Sequence, residues 1–196
     1  MLKGWPRNDV CEHHDPHVQH WIKEYVRAGD VFYDLGANVG IMSQVAARKG
    51  ALVVAFEPLP SAMVELRAVL PESAILVNAA VWDVPAVLPL RPTNESGGCE
   101  IAVASEPGTL AVGAFPLPFF GLPKPNVMKL DIEGSECHAM NGCTPEFLAQ
   151  CRVIITEVYG PALEALGGSE HELRELIEGF GFGLRAQTDR DLLYVR

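Results

Sequence analysis

Short apolar runs of β-forming residues alternate along most of this chain with segments of about ten residues that repeat their apolar positions at helical spacing. That alternation constrains the fold more than any other feature. Strand, helix, strand in succession means crossover units, a parallel sheet, and helices covering both faces of it. The reading begins with Asp15-Pro16 as a helix start and Val18, Trp21, Ile22, Tyr25 and Val26 as one apolar face over 16–27, ended by Gly29. Strands follow at Val31–Leu35, Leu52–Phe56, Ala74–Val81, Asn126–Ile132 and Arg152–Val158, and helices at Ile41–Lys49, Ser61–Leu70, Glu136–Asn141 and Glu170–Glu178. Val84–Leu90, with two prolines, reads as an edge or irregular β segment and Thr109–Phe115 as a short strand. Phe182–Ala186 and Leu192–Val195 form a closing antiparallel hairpin. The expected architecture is a three-layer α/β sandwich.

At 196 residues the chain suits one compact domain. Within it, 1–29 would be an N-terminal helical segment and 91–125 a substrate-side insertion, its R-P-T-N-E-S-G-G-C-E stretch the most loop-like part. Asn94, Ser96, Gly97 and Gly98 are candidate lid residues over the cleft. No apolar window reaches the length of a membrane span, and the start M-L-K-G-W-P-R-N-D lacks the apolar core of a signal peptide. Five cysteines (Cys11, Cys99, Cys137, Cys143, Cys151) without CxxC spacing read as reduced thiols. These features predict a soluble, cytoplasmic protein. A formal net charge of −10 disfavours nucleic acid as a partner, because binding it takes clustered cations. Oligomeric state has no signature in the sequence.

In an open α/β sheet the ligand sits beyond the carboxyl ends of the strands, so the first strand-to-helix turn is the place to look. It reads D-L-G-A-N-V-G, with Gly36 and Gly40 spaced G-x-x-x-G. A dinucleotide fingerprint needs a middle glycine where Asn38 stands, and no Gly-Lys-Ser/Thr follows, so a pyrophosphate does not fit. The next strand ends A-F-E-P, which puts Glu57 and Pro58 at its carboxyl end, where a carboxylate can accept hydrogen bonds from a ribose diol. Asp34 could reach the ammonium of an amino acid. A ribose and an amino acid without phosphate together describe S-adenosylmethionine.

The stretch N-V-M-K-L-D-I-E-G-S-E departs from what a central parallel strand should be. Lys129, Asp131 and Glu133 alternate against Met128, Leu130 and Ile132, and burying such groups costs several kcal/mol unless they pair or meet a polar ligand. With V-F-Y-D-L-G-A-N-V-G, A-F-E-P, V-N-A-A-V and I-I-T-E-V in that order, from about Val31 to Val158, the chain resembles the FkbM family of S-adenosylmethionine-dependent methyltransferases. The resemblance implies a Rossmann-like class I methyltransferase with a seven-stranded, mostly parallel sheet, and O-methylation of a hydroxyl on a small molecule or sugar. By position it implies that Asp34, Gly36, Asn38 and Gly40 line the methionine part of the cofactor and that Glu57 and Pro58 meet the ribose. Asn78 and Ala79 would lie beside the adenine, and Lys129, Asp131, Glu133 and Glu157 at the methyl-transfer end, with Asp131 also touching the cofactor.

An aliphatic hydroxyl must lose its proton, and Asp131, Glu133, Glu157 and His138 are candidate bases, the carboxylates on strand ends being favoured. The same carboxylates could hold Mg²⁺, a possible but not favoured cofactor. His13, His14, His17 and His20 read as polar residues near the cofactor mouth in preference to a metal site. Two other functions stay open: an RNA ribose 2′-O-methyltransferase, against which a missing second lysine and the acidic charge count, and a non-catalytic S-adenosylmethionine-binding module.

Overall fold

A computed structural model describes residues 15–92, 99–102, 104 and 107–196. The N-terminal His13 and His14 and the lid candidates Asn94, Ser96, Gly97 and Gly98 lie outside the described residues. The elements are α1 (Pro16–Tyr25), β1 (Val31–Leu35), α2 (Ile41–Arg48), β2 (Leu52–Phe56), α3 (Pro60–Val69), β3 (Ile75–Val77), β4 (Ala80–Val81) and β5 (Ala86–Pro92). After them come β6 (Cys99–Ile101), β7 (Leu110–Phe115), β8 (Val127–Leu130), α4 (Glu136–Asn141), β9 (Val153–Glu157), α5 (Gly160–Ala165), α6 (Glu170–Gly179), β10 (Gly183–Gln187) and β11 (Asp191–Val195).

Seven strands form the main sheet in the order β10-β11-β9-β8-β1-β2-β3. The pairs among β3, β2, β1, β8 and β9 are parallel, whereas β11 runs antiparallel to both β9 and β10. Alternation along the buried strands splits the core in two. Tyr33, Leu35, Phe56, Met128 and Ile154 pack with Ala139, Met140, Leu163, Leu173 and Ile177 from α4–α6. Phe32, Val53, Ala55, Val127 and Ile155 pack with Ile22, Val45, Ala46 and Leu66 from α1–α3. The three-layer α/β sandwich and its C-terminal hairpin are therefore as the sequence predicts. No helix among the described residues is long and apolar enough to cross a membrane.

The region after β2 departs from expectation. Ala74–Val81, read as one strand, divides at Asn78-Ala79: β3 stays in the main sheet, and β4 enters a second sheet of order β4-β7-β5-β6. The Asn78 side-chain amide donates to the carbonyls of Glu57 (2.8 Å) and Pro58 (3.0 Å), so the chain is tied to the end of β2 where it leaves the main sheet. Part of the stretch read as loop is β6, which pairs with β5 through Leu90↔Ile101 and Arg91↔Glu100. Leu90 is buried against Leu59 and Ala62 at the start of α3, with Cys99 and Ile101 packed beside them. The small sheet thus stands next to the carboxyl end of β2.

Candidate functional site

The β1–α2 turn is shaped by close approach of backbones. Gly36 has φ +76°, and a Cβ there would stand 1.8 Å from the Asp131 carbonyl oxygen, so a side chain has neither the conformation nor the room. The amides of Gly36 and Ala37 both donate to the Phe56 carbonyl at 3.0 Å, which fixes the turn against the end of β2. Asn38 follows at φ 48° and donates its amide to Glu57 Oε2 at 2.9 Å, while Leu59 donates to Oε1 at 2.7 Å. Glu57 is 3% exposed, and burial pushes its carboxyl up, with those two backbone N–H groups pulling it back. Each of its oxygens accepts one such bond, and the Cys99 thiol, 3.9 Å from Oε1, is a second donor to that oxygen, so a further lone pair is left on Oε2.

The β1–β8 register sets Asp34 beside Lys129. Asp34 is wholly buried; its Oδ2 accepts from the Ser43 hydroxyl at 2.6 Å, and its Oδ1 is 3.3 Å from Lys129 Nζ. Lys129 also reaches Asp131 Oδ2 at 3.1 Å and donates to the Gly36 carbonyl at 3.3 Å. Burial works to lower the Lys129 pKa, but the two carboxylates outweigh it and hold the ammonium above the ordinary lysine value. Because β8 is a central strand, the polar residue within it is buried, and the pairing that burial demands is present.

Past Leu130 the chain turns sharply, with Glu133 at φ 53° and Gly134 at φ +99°, where a Cβ would meet the Ala162 carbonyl oxygen at 2.4 Å. Glu136 reaches back to accept from the Ile132 amide at 2.9 Å, which ties down the start of α4 and explains the second glutamate of D-I-E-G-S-E. Burial pushes the Glu136 carboxyl up to about 7, against that hydrogen bond. At the end of β9, Glu157 is ion-paired with Arg190, Nη2 to Oε1 2.5 Å. Burial and the Asp131 charge push Glu157 up to about 8, with Arg190 opposing them.

These pieces border one cavity of about 610 Å³. Of the residues predicted from sequence, Gly36, Asn38, Glu57, Pro58, Ala79, Lys129, Asp131, Glu133 and Glu157 line it. Asp34, Gly40 and Asn78 do not: Asp34 stands behind Lys129, Asn78 braces the backbone of Glu57 and Pro58, and Gly40 (φ +87°) lets the turn pass Leu66, whose Cδ1 would lie 2.6 Å from a Cβ. His138 is not on the wall; it stacks on Trp82 with ring centroids 3.5 Å apart and meets Asp83 and the Leu166 carbonyl, each at 3.1 Å. His17 and His20 are exposed on α1, His20 3.4 Å from Glu24. Arg190, Cys99, Ile101 and Ser135 also line the cavity and were not singled out from sequence. Ser135 sits inside a noted stretch, but Arg190 lies in a polar turn that distinguishes it in no way. Among the described residues no group of three or more His, Cys, Asp or Glu side chains is arranged to hold a metal ion.

A family model described as the methyltransferase FkbM domain matches residues 34–184. Among solved structures, the chain is similar to an FkbM methyltransferase from Methylobacillus flagellatus at 15% identity and a TM-score of 0.57, over 91% of this chain and 50% of that one. It is similar to magnesium protoporphyrin IX methyltransferase from Synechocystis with S-adenosylmethionine bound, at 16% identity and TM-score 0.56, over 99% and 86%. A precorrin-6y C5,15-methyltransferase from Geobacter metallireducens aligns at 13% identity and TM-score 0.54, over 92% and 89%. At such identities the likeness is one of fold, and the chain spans half the length of the Methylobacillus protein. Comparison with the curated proteins gave no match.

Proposed function

The chain belongs to the FkbM methyltransferase family, and from that premise we propose that it transfers a methyl group from S-adenosylmethionine to a hydroxyl of a small molecule or sugar, with Asp131 as base. The observation that carries the reading is the single cavity joining the glycine turn, Glu57 and the acidic strand ends. The donor set suits the cofactor. Asn38 Oδ1 is buried on that wall with no hydrogen-bond partner among the described residues, an acceptor suited to an ammonium or amide donor. Glu57 Oε2 keeps a lone pair for a ribose hydroxyl, and the Gly36 turn leaves its wall free of a side chain.

When bound, the cofactor supplies a methyl group on a sulfonium, whose transfer depends mainly on in-line orientation. Asp131 is held by Lys129 at 3.1 Å and borders the cavity, so it can accept the proton of an acceptor hydroxyl while keeping a fixed position. Residues 91–125, expected as a substrate-side insertion of a single domain, supply β6 and β7. Cys99 Sγ lies 3.9 Å from Glu57 Oε1, so in this reading the insertion also covers the donor's ribose end. The wall carries Asp15, Glu57, Glu65, Asp131, Glu133 and Glu157 against Lys129 and Arg190, a balance that disfavours a nucleic-acid acceptor.

Calorimetry with S-adenosylhomocysteine tests the pocket: micromolar binding to the wild type is expected, weakened at least about tenfold in Glu57→Ala through the lost charge-assisted hydrogen bonds. No binding to the wild type would overturn the reading. Asp131→Asn is expected to keep that binding and lose turnover, and an undiminished rate would remove Asp131 from the chemistry.

A further inference from the structure

We propose that Lys129 is a positioning residue: its ammonium gives one hydrogen each to Asp34, to Asp131 and to the Gly36 carbonyl, and so holds the glycine turn and the Asp131 carboxylate at one separation without itself touching a ligand. What the turn and Asp131 do rests on the methyltransferase reading; what the lysine does rests on geometry.

Lys129 pairs with Asp34 of β1 on one side and with Ile155 of β9 on the other, so its side chain rises from the middle of the sheet, and it lines the cavity while only 6% exposed. Three oxygens surround Nζ: Asp131 Oδ2 at 3.1 Å, Asp34 Oδ1 at 3.3 Å and the Gly36 carbonyl oxygen at 3.3 Å. An ammonium has three hydrogens to donate and no lone pair. With an acceptor for each, none is left for an acceptor hydroxyl or for the carboxylate of an amino acid, and a protonated amine cannot serve as a base. The two flanking carboxylates also keep the ammonium from presenting an unbalanced positive charge to a sulfonium.

Gly36 is gripped from three directions. Its amide donates to the Phe56 carbonyl of β2 at 3.0 Å, its carbonyl accepts from Lys129 of β8, and its Cα faces the Asp131 carbonyl oxygen so closely that a Cβ would stand 1.8 Å from it. Only the Lys129 contact comes from a side chain, so it is the one of the three that a substitution away from Gly36 removes. Asp34, wholly buried behind the lysine, takes the Ser43 hydroxyl on its other oxygen at 2.6 Å, and that bond fixes the far side of the ammonium. A shorter or apolar side chain at position 129 would take away the one group that the Gly36 carbonyl and the Asp131 carboxylate share.

The test needs no methyl acceptor. In the full chain, Lys129→Ala deletes the equivalent of propylammonium and leaves a slot open to the cavity. Calorimetry with S-adenosylhomocysteine should show affinity reduced at least about tenfold, as for the loss of a charge-assisted hydrogen bond that fixes the turn. Millimolar propylamine should recover about threefold or more of that affinity and raise the melting temperature of the variant, leaving the wild type unchanged. Propanol, which has the length without the charge, and tetramethylammonium, which has the charge without a hydrogen to donate, should do neither. Variant affinity within about twofold of the wild type, no recovery with propylamine, or equal recovery with either control overturns the proposal. Should Lys129→Ala fail to fold, the wild type decides: with ¹⁵N in the lysine side chains, the Lys129 ammonium, assigned by through-bond correlation to its backbone, should exchange its hydrogens with water slowly, and exchange as fast as that of the exposed lysines overturns the proposal. Failure of the wild type to bind S-adenosylhomocysteine strikes the methyltransferase reading, while ammonium exchange and amine-dependent melting still report what Lys129 holds.

Discussion

Replacing Lys129 with methionine keeps the length and apolar stem of the side chain and removes one charge from the middle of the sheet. Lys129 is 6% exposed and Asp34 has no exposure at all, so the deletion leaves a buried carboxylate that still accepts from the Ser43 hydroxyl but has lost its cation. Removing one member of a buried ion pair costs about 3–5 kcal/mol, because the other keeps its desolvation penalty. Most of that cost is assigned to Asp34, since Asp131 is 32% exposed and water can screen it. For a domain of this size the loss corresponds to a fall of roughly 1–2 M in the urea midpoint. The assay is equilibrium urea unfolding followed by circular dichroism, at low and high salt, because a buried pair is screened little. Asp34→Asn in the Lys129→Met background should recover part of the loss, giving a positive coupling energy of about 1 kcal/mol or more in the double-mutant cycle. A Lys129→Met midpoint within about 0.3 M of the wild type, equivalent to under 1 kcal/mol, would refute the claim that this lysine neutralises Asp34 in the core.

Two further outcomes follow from the same geometry. Gly36→Ala should cost at least about 1–2 kcal/mol for the left-handed backbone alone and more for the clash with the Asp131 carbonyl. It should weaken S-adenosylhomocysteine binding as well, and wild-type stability and affinity together would contradict the close approach. Glu157 binds its proton more tightly folded than unfolded, its pKa raised from 4.5 to about 8. Stability should therefore fall as pH rises between those values and level off above them, with Glu136 adding in the same direction up to about 7. Glu157→Gln should flatten part of this slope in thermal melts from pH 4.5 to 8.5, and an unchanged slope would count against the raised pKa.

Periodicity was enough to read the main sheet, because strands buried on both faces are apolar runs and the helices between them keep one apolar face. It failed at Asn78, where a side-chain amide ties the chain to the neighbouring strand's end just before Ala80-Val81 joins another sheet. Propensity has no means of registering such a tertiary bond. Strand β6 was illegible for a related reason: three residues, Cys99–Ile101, amid glycine and polar residues, hold as a strand only because β5 supplies the ladder. For the site, unusual composition was the usable signal. Lysine within a central strand and aspartate just past its end marked Lys129 and Asp131, and a carboxylate after A-F marked Glu57. Arg190 carried no such mark, since an arginine in a polar turn looks like solvated surface until the hairpin folds back onto β9.

The contact between Gly36 and the Asp131 carbonyl belongs to no single crossover unit: it welds the first strand's turn to the fourth parallel strand's exit. With that weld in place, the spacing between where a donor would lie and where, in the proposed reaction, a proton would be taken cannot be adjusted by lengthening either loop. Any change of acceptor must then be accommodated at the rim, in the small sheet and the hairpin. In this molecule the geometry of the reaction and the choice of what reacts would be free to diverge separately.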